Sequence, residues 1–142
     1  MPVAALVLFV AAQLAGQLAP ATLDAALYWE LTQARLELAE QEWRERVESA
    51  RQAAGNTRML NTQSATISKA YAARQIELLR NQGLTEQDFR HFASDHSREI
   101  ESYLDENDAV RQGLSSLRQA LQGLMEQFDT LAKTNSSVGT PQ

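Results

Sequence analysis

Residues 110–131 read VRQGLSSLRQALQGLMEQFDTL, and their apolar side chains recur at alternating steps of four and three residues. The row consists of Val110, Leu114, Leu117, Leu121, Leu124, Phe128 and Leu131. This heptad pattern predicts an α-helix with one continuous apolar face, because a strand would distribute the same residues over both of its faces. Gly113 and Ala120 lie beside the row, and we expect them to let a neighbouring backbone come close. An apolar face of this length must be covered, so the helix requires other helices against it.

The composition favours one all-α domain and excludes several kinds of chemistry. The chain has 142 residues, of which 44% are hydrophobic, and only three prolines and six glycines interrupt it. This length and composition are typical of a single globular domain, and the scarcity of proline favours long helices. The formal net charge is −5 and the basic residues are spread along the chain, which gives no footprint for nucleic acid. The absence of cysteine excludes disulfides, cysteine-based zinc sites and thiol catalysis.

Residues 3–19 carry no charge, and three interpretations of this segment stay open. The run Ala19-Pro20-Ala21 fits the small-x-small pattern of a secretory cleavage site, although no Lys or Arg precedes the segment. The segment could instead be a membrane anchor, whose helical length of about 25 Å falls slightly short of a hydrocarbon core of about 30 Å. The third interpretation is a fully buried helix of a soluble bundle. We therefore expect a periplasmic or secreted protein, or one anchored in the inner membrane with its helices outside the cytoplasm.

The remaining chain predicts an antiparallel bundle of about four long amphipathic helices joined by short connections. We expect a domain over residues 22–133, after a signal peptide or anchor at 1–21, and a disordered polar tail at 134–142. The predicted helices cover residues 23–54, 58–81, 86–104 and 108–133.

Two helix starts have recognisable capping signals. Thr22 is a candidate N-cap for the first helix. Thr85 and Asp88 have the spacing of a capping box, and Leu84 and Phe89 that of a hydrophobic staple.

The first helix is apolar on two sides over its first half and on one side over its second half. We therefore expect the first half to be sandwiched, and the second half to lie on the bundle surface or to project. One of the two apolar stripes exceeds what a small bundle needs to close. We predict that it binds a partner through Trp29, Leu36, Trp43 and Val47.

The polar residues predict neither a catalytic site nor a cofactor. Asp88, His91 and Asp95 share a helix face and could hold zinc, but a solvated polar face is the preferred interpretation. We expect His96 to be partly buried and hydrogen-bonded to Glu99 or Tyr103.

Non-covalent haem would need axial ligands such as methionine and histidine. The candidates are Met59 or Met125 with His91 or His96, and core packing explains Met125 better.

These observations favour a non-enzymatic helical protein of the bacterial envelope that acts through helix–helix contacts, by self-association or by binding a protein partner. One alternative is a membrane-anchored accessory subunit of a larger complex. Another is a helical bundle that binds a small ligand, haem or a metal.

Overall fold

The computed structural model describes residues 22–138, with side chains up to residue 134, and this part of the chain is all-α as predicted. The predictions for residues 1–21 and for the last residues of the tail, 139–142, lie outside this range. The helices in chain order are α1 (Ala25–Ala53), α2 (Thr57–Arg80), α3 (Glu86–Asp95), α4 (Ser97–Glu106) and α5 (Asp108–Val138).

Both ends of α1 are defined by local backbone and capping features. The N-cap of α1 is Asp24 rather than the predicted Thr22, and its carboxylate accepts a hydrogen bond of 2.8 Å from the backbone N–H of Leu27. A side-chain oxygen at this position satisfies one of the free N–H groups of the first turn. At the other end, Ala54 and Gly55 both adopt positive φ, which reverses the chain within three residues before α2 begins.

Helices α3 and α4, with the residue between them, form a segment that we call the crossover (residues 86–106). The sequence predicts one helix here, but the helix is interrupted at His96, whose φ of −123° and ψ of 31° are not helical. The predicted capping box is confirmed, since Thr85 and Asp88 each donate a backbone N–H to the other's side chain. Leu84 and Phe89 belong to one core cluster, as the predicted staple requires.

Helix α1 is the central helix, and it makes most of the contacts between helices. Helix α2 runs antiparallel to it, because Arg35 is bonded to Gln75 whereas Ser49 is bonded to Gln63. Helix α5 runs parallel to α1: Trp29 shares a cluster with Leu114, and Trp43 contacts Phe128 further along both helices. Helices α2 and α5 make few contacts with each other. The predicted bundle of about four antiparallel helices is therefore confirmed only as an all-α fold.

Buried side chains collect at the two ends of α1. Near its start, one cluster joins α1 to α2 and α3, and a second joins it to α4 and α5. Their buried members are Leu31, Leu79, Leu84 and Phe89 in the first, and Trp29, Ile100 and Leu114 in the second.

A third cluster at the far end buries Ala50 and Ala53 of α1 against Leu60 of α2 and Phe128 of α5. The second half of α1 does not project, because one of its faces is buried, but its other face is exposed, as predicted for a helix on the bundle surface. Its buried positions include alanine and Ser49, which a search for large apolar residues passes over. Small side chains bring the neighbouring helices close and complete the burial.

Gly113 of α5 does not serve the close backbone approach that the sequence predicts for it. A Cβ atom added at Gly113 or at Gly123 would meet no atom within 4 Å outside its immediate surroundings. At the end of α2, by contrast, Gly83 has a φ of 71°, which other residues adopt only with strain.

We predict opposite effects of alanine at these two kinds of glycine. Gly123→Ala should raise the free energy of unfolding by about 0.5–1 kcal/mol, because alanine restricts the unfolded chain and fits a helix without a clash. Gly83→Ala should lower it by about 1–2 kcal/mol, because its left-handed backbone disfavours a Cβ. Urea denaturation of both variants measures this. Equal effects of the same sign would contradict the described backbone.

Candidate interaction surface

The four residues predicted to bind a partner divide into two pairs. Trp29 and Val47 are 8% and 4% exposed, so both are buried within the chain's own core. The indole N–H of Trp29 donates a buried hydrogen bond of 2.9 Å to the backbone carbonyl of Ile100, which fixes α4 against α1. Only Leu36 and Trp43 are half-buried, and thus within reach of another molecule.

Trp43 is held in place from two directions. Its ring meets the ring of Phe128 edge to face, with the centroids 5.4 Å apart, and the guanidinium of Arg46 lies over it at 4.5 Å. The guanidinium of Arg46 is in turn paired with the carboxylate of Glu42, four residues earlier, at 2.8 Å. Glu40 and Arg44 form a second pair with the same four-residue spacing on α1. The ring therefore presents a fixed, half-exposed edge, and a fixed surface loses little conformational entropy on binding.

The contact between α1 and α5 is incompletely covered over its middle. No residue of α1 between Leu31 and Val47 is buried, and among the described side chains of α5 only Leu114 is buried. The heptad row of α5 does face α1, but its remaining members are half-buried. We call this strip the open seam, and it comprises Leu36, Trp43, Leu117, Leu121 and Leu124.

Met125 extends the open seam into solvent. Its side chain is 44% exposed, so the expectation that core packing explains this residue is wrong. It follows Leu124 of the open seam on the outer side of α5. Methionine adapts its shape to irregular contacts and is common on binding surfaces. The sequence does not identify Met125 as a contact residue, because it lies outside the heptad row to which Leu121, Leu124 and Phe128 belong.

The contact between α1 and α2 is polar in its middle. The guanidinium of Arg35 donates to Gln75 of α2 and to Glu86 at the start of α3, and Gln75 donates back to the backbone carbonyl of Arg35. Together with the bonds Tyr71–Glu45 and Ser49–Gln63, these bonds fix the register between the two helices, because an unpaired buried polar group is costly. The open seam, by contrast, is lined by apolar side chains.

Tyr71 is the most deeply buried polar side chain of this contact. It is 2% exposed, and its hydroxyl donates a hydrogen bond of 2.9 Å to the carboxylate of Glu45. Burial raises the pKa of Tyr71, and the bond to Glu45 and its negative charge act in the same direction. Arg74, which lies over the ring at 4.4 Å, opposes this shift in part.

A cleft of about 350 Å³ opens between α1 and α2 near their connection. Most of its lining residues are of polar type, including Glu45, Glu48 and Ser49. The hydroxyl of Ser49 is hydrogen-bonded to the side-chain oxygen of Gln63, so it is not presented to a general base. The cleft offers no arrangement that would activate a nucleophile.

Two of the polar residues considered as zinc or haem ligands, Asp88 and His96, have other contacts. Within residues 22–138, no group of three or more His, Cys, Asp or Glu side chains is placed to hold a metal ion. The carboxylate of Asp88 accepts the capping-box bond from Thr85, which lowers the pKa of Asp88. His96 is exposed rather than partly buried; it stacks on Phe92 with centroids 4.5 Å apart, and its Nδ1 lies 3.3 Å from Glu99.

Comparison of the chain with protein-family models, with curated proteins and with solved structures gives no match. In the described part of the chain, no helix is both long enough and apolar enough to cross a membrane. The apolar segment at residues 3–19 lies outside that part.

We predict that ionisation of Tyr71 limits stability at high pH. A raised pKa in the folded state means that this contribution is complete below about pH 10 and is lost as the pH rises through the folded-state pKa. Above about pH 10, the free energy of unfolding should therefore fall less steeply in Tyr71→Phe than in the wild type. Denaturant unfolding at several pH values measures the slope.

Glu45→Gln is the matched control for this measurement. It keeps the tyrosine and removes the charge beside it, so its slope should lie between those of the wild type and Tyr71→Phe. Identical slopes in all three proteins would contradict the described contact.

Proposed function

We propose that this chain is a non-enzymatic helical protein of the bacterial envelope that acts by packing the open seam against another helix. The observation that carries the proposal is the incomplete cover of that strip, where five large apolar side chains lie half-buried along two parallel helices. Covering such a strip stabilises the complex by roughly 25 cal/mol for each Å² of apolar surface removed from water.

The shape of the open seam suits a helix as the occupant. Two helices that lie side by side form a groove along their contact, and an amphipathic helix fills such a groove with residues at heptad spacing. A helix laid there would be the fourth long helix of the structure. The antiparallel bundle of about four helices predicted from the sequence would in this proposal be completed by the binding partner.

Leu36 and Trp43 retain the role that the sequence assigns to them, whereas Trp29 and Val47 act indirectly. Trp29 anchors α4, and Val47 packs beneath the surface near Leu124 and Gln127. Both therefore support the helices that form the groove. Aromatic side chains held in place by neighbours are frequent binding hot spots, which favours Trp43 as the main anchor.

A photo-crosslinking amino acid at position 125 tests the proposal in cells that express the protein. We expect an adduct with a partner protein or a second copy at this position, since Met125 lies at the edge of the open seam. Ser116 is the matched control, because it is exposed on the same helix but lies on the face opposite to Met125. Equal crosslinking at both positions, or none at position 125, would contradict the proposal.

The envelope location rests on the uncharged segment at residues 3–19 and on the cleavage pattern at Ala19-Pro20-Ala21. The same segment also supports the alternative of a membrane-anchored accessory subunit, with the helices outside the cytoplasm. Both locations would leave the open seam available to a partner.

The mass of the mature protein's N-terminal peptide distinguishes these two locations. We expect a chain that begins at Thr22, which indicates secretion. A chain that retains Met1 or Pro2 and stays in the membrane fraction would support the anchored subunit. A chain that retains this segment but is found in the cytosol would contradict both.

A further inference from the structure

Positive charge is concentrated on α2. Four basic residues and one acidic residue give this helix a net formal charge of +3, in a chain whose total is −5. Arg58, Lys69 and Arg80 follow one another at intervals of eleven residues, or about three helical turns, and therefore lie in one row along the helix. All three are exposed, and none forms an ion pair within residues 22–138. We call this the basic row.

An apolar residue stands in the same row. Ile76 lies seven residues after Lys69, and it is the most exposed large hydrophobic side chain of residues 22–134, at 50%. It borders a groove of about 540 Å³ at the corner where α2 meets α3, which is also lined by Arg80, Gly83 and Leu84. An exposed branched side chain beside an apolar groove is typical of a contact site.

Negative charge is concentrated on the crossover and its connection to α5. Residues 86–108 contain eight acidic and two basic residues, a net formal charge of −6. Of the acidic residues, only Glu86 is even half-buried. Two are neutralised locally, since Glu86 pairs with Arg35 and Asp108 with Arg111. The others, including Glu101 and Asp105, have no lysine or arginine partner in the described structure.

We propose that a second copy of this chain docks on the basic row, so that each α2 faces the crossover of the other copy. The two charged surfaces are joined by only five residues, 81–85, at the corner that contains the groove. A two-fold axis at this corner would bring both oppositely charged pairs together and place Ile76 of each copy at the groove of the other. Self-complementary patches of this kind are what a two-fold dimer requires.

Charge favours a second copy over an anionic membrane as the occupant. A membrane would attract the basic row, but it would repel the crossover, whose net formal charge of −5 exceeds in magnitude the +3 of α2. The crossover of another copy has the complementary sign, and it is always present at the same concentration as the basic row. This surface uses α2 and the crossover, and so it is separate from the open seam of α1 and α5.

Sedimentation equilibrium of the chain with its native N-terminus tests the proposal. We expect a dimer at low salt whose dissociation constant rises at least about tenfold from 0.01 M to 1 M salt, as the Debye length falls from about 30 Å to about 3 Å. A chain that is monomeric at low salt, or a dimer that is insensitive to salt, would overturn the proposal.

Two aspartate substitutions locate the contact. Ile76→Asp should weaken the dimer at least about tenfold, because it removes the apolar contact of Ile76 with the groove of the other copy and places a charge there that loses its hydration on docking. Met125→Asp is the matched control, since Met125 is similarly exposed but lies at the open seam. We expect it to leave the dimer intact and both variants to keep the wild-type circular dichroism spectrum. A dimer abolished by Met125→Asp and unaffected by Ile76→Asp would place the second copy at the open seam. That result would overturn this inference and support the proposed function.

A charge exchange tests which surfaces face each other. Lys69→Glu and Glu101→Lys should each weaken self-association, because each places like charges together in both halves of a two-fold contact. An equimolar mixture of the two variants should recover the wild-type affinity as a heterodimer, since every like pair becomes an opposite pair. A mixture that stays monomeric would overturn the pairing of α2 with the crossover. Binding of the wild type to phosphatidylglycerol vesicles that is lost in Lys69→Glu, without dimerisation in solution, would overturn it in favour of a membrane.

Discussion

The structure depends on α1 packing against two long helices, α2 and α5, on different sides. Helices α2 and α5 both rest on α1 and make few contacts with each other, so neither has a second long helix to cover it. A helix covered along one side can bury only a narrow stripe of its surface, and full burial requires a third body in the groove. Side chains are buried near the start of α1, where the crossover covers the groove, and near its far end, where α2 and α5 both contribute to one cluster. Between these two ends burial is incomplete, and the open seam is the result.

The two contacts of α1 differ in chemistry and so in what they contribute. Toward α5 the contact is apolar, and such contacts add stability in proportion to area without fixing a unique register. Toward α2 the contact includes the bonds of Arg35, Tyr71 and Ser49, each of which adds a modest net stability of about 0.5–1.5 kcal/mol. A slip of α2 by one turn would leave all of these groups unpaired. We infer that the polar contact sets the position of α2, while the apolar contact supplies the main driving force for packing α5.

Features carried by local sequence could be predicted from the chain alone. The heptad row of α5 requires its residues to share one face, and it does face α1. The capping box at Thr85 and Asp88 involves groups three residues apart, so its geometry follows from the start of the helix itself. The interruption at His96 could not be predicted, because the apolar spacing continues across it. It carries the chain from the cluster that contains Phe89 to the one that contains Ile100, which is a requirement of the tertiary structure.

The candidate surfaces were predictable only in part, for a related reason. The pattern of α1 identifies which residues are apolar, but not how far a neighbouring helix covers them. Trp29 and Val47 are buried and Leu36 and Trp43 are not, although all four occupy equivalent positions in the sequence pattern. Charge segregation is hidden in the same way. The basic residues are spread singly along the sequence from Arg35 onward, and their row on α2 emerges only when the helix boundaries separate them from the acidic crossover.

The two proposed contacts are compatible with each other, and together they have a consequence that neither has alone. The two-fold contact at the corner of α2 and α3 uses no residue of the open seam, so a dimer formed there would still present two open seams. A partner with two suitable helices could then bind both, and the second contact would form at the high effective concentration set by the first. A strip of half-buried leucines is a weak site when used once, because ordering and association costs offset much of its apolar gain. Presentation in pairs would convert such a weak helix–helix contact into a firm one without enlarging the contact itself.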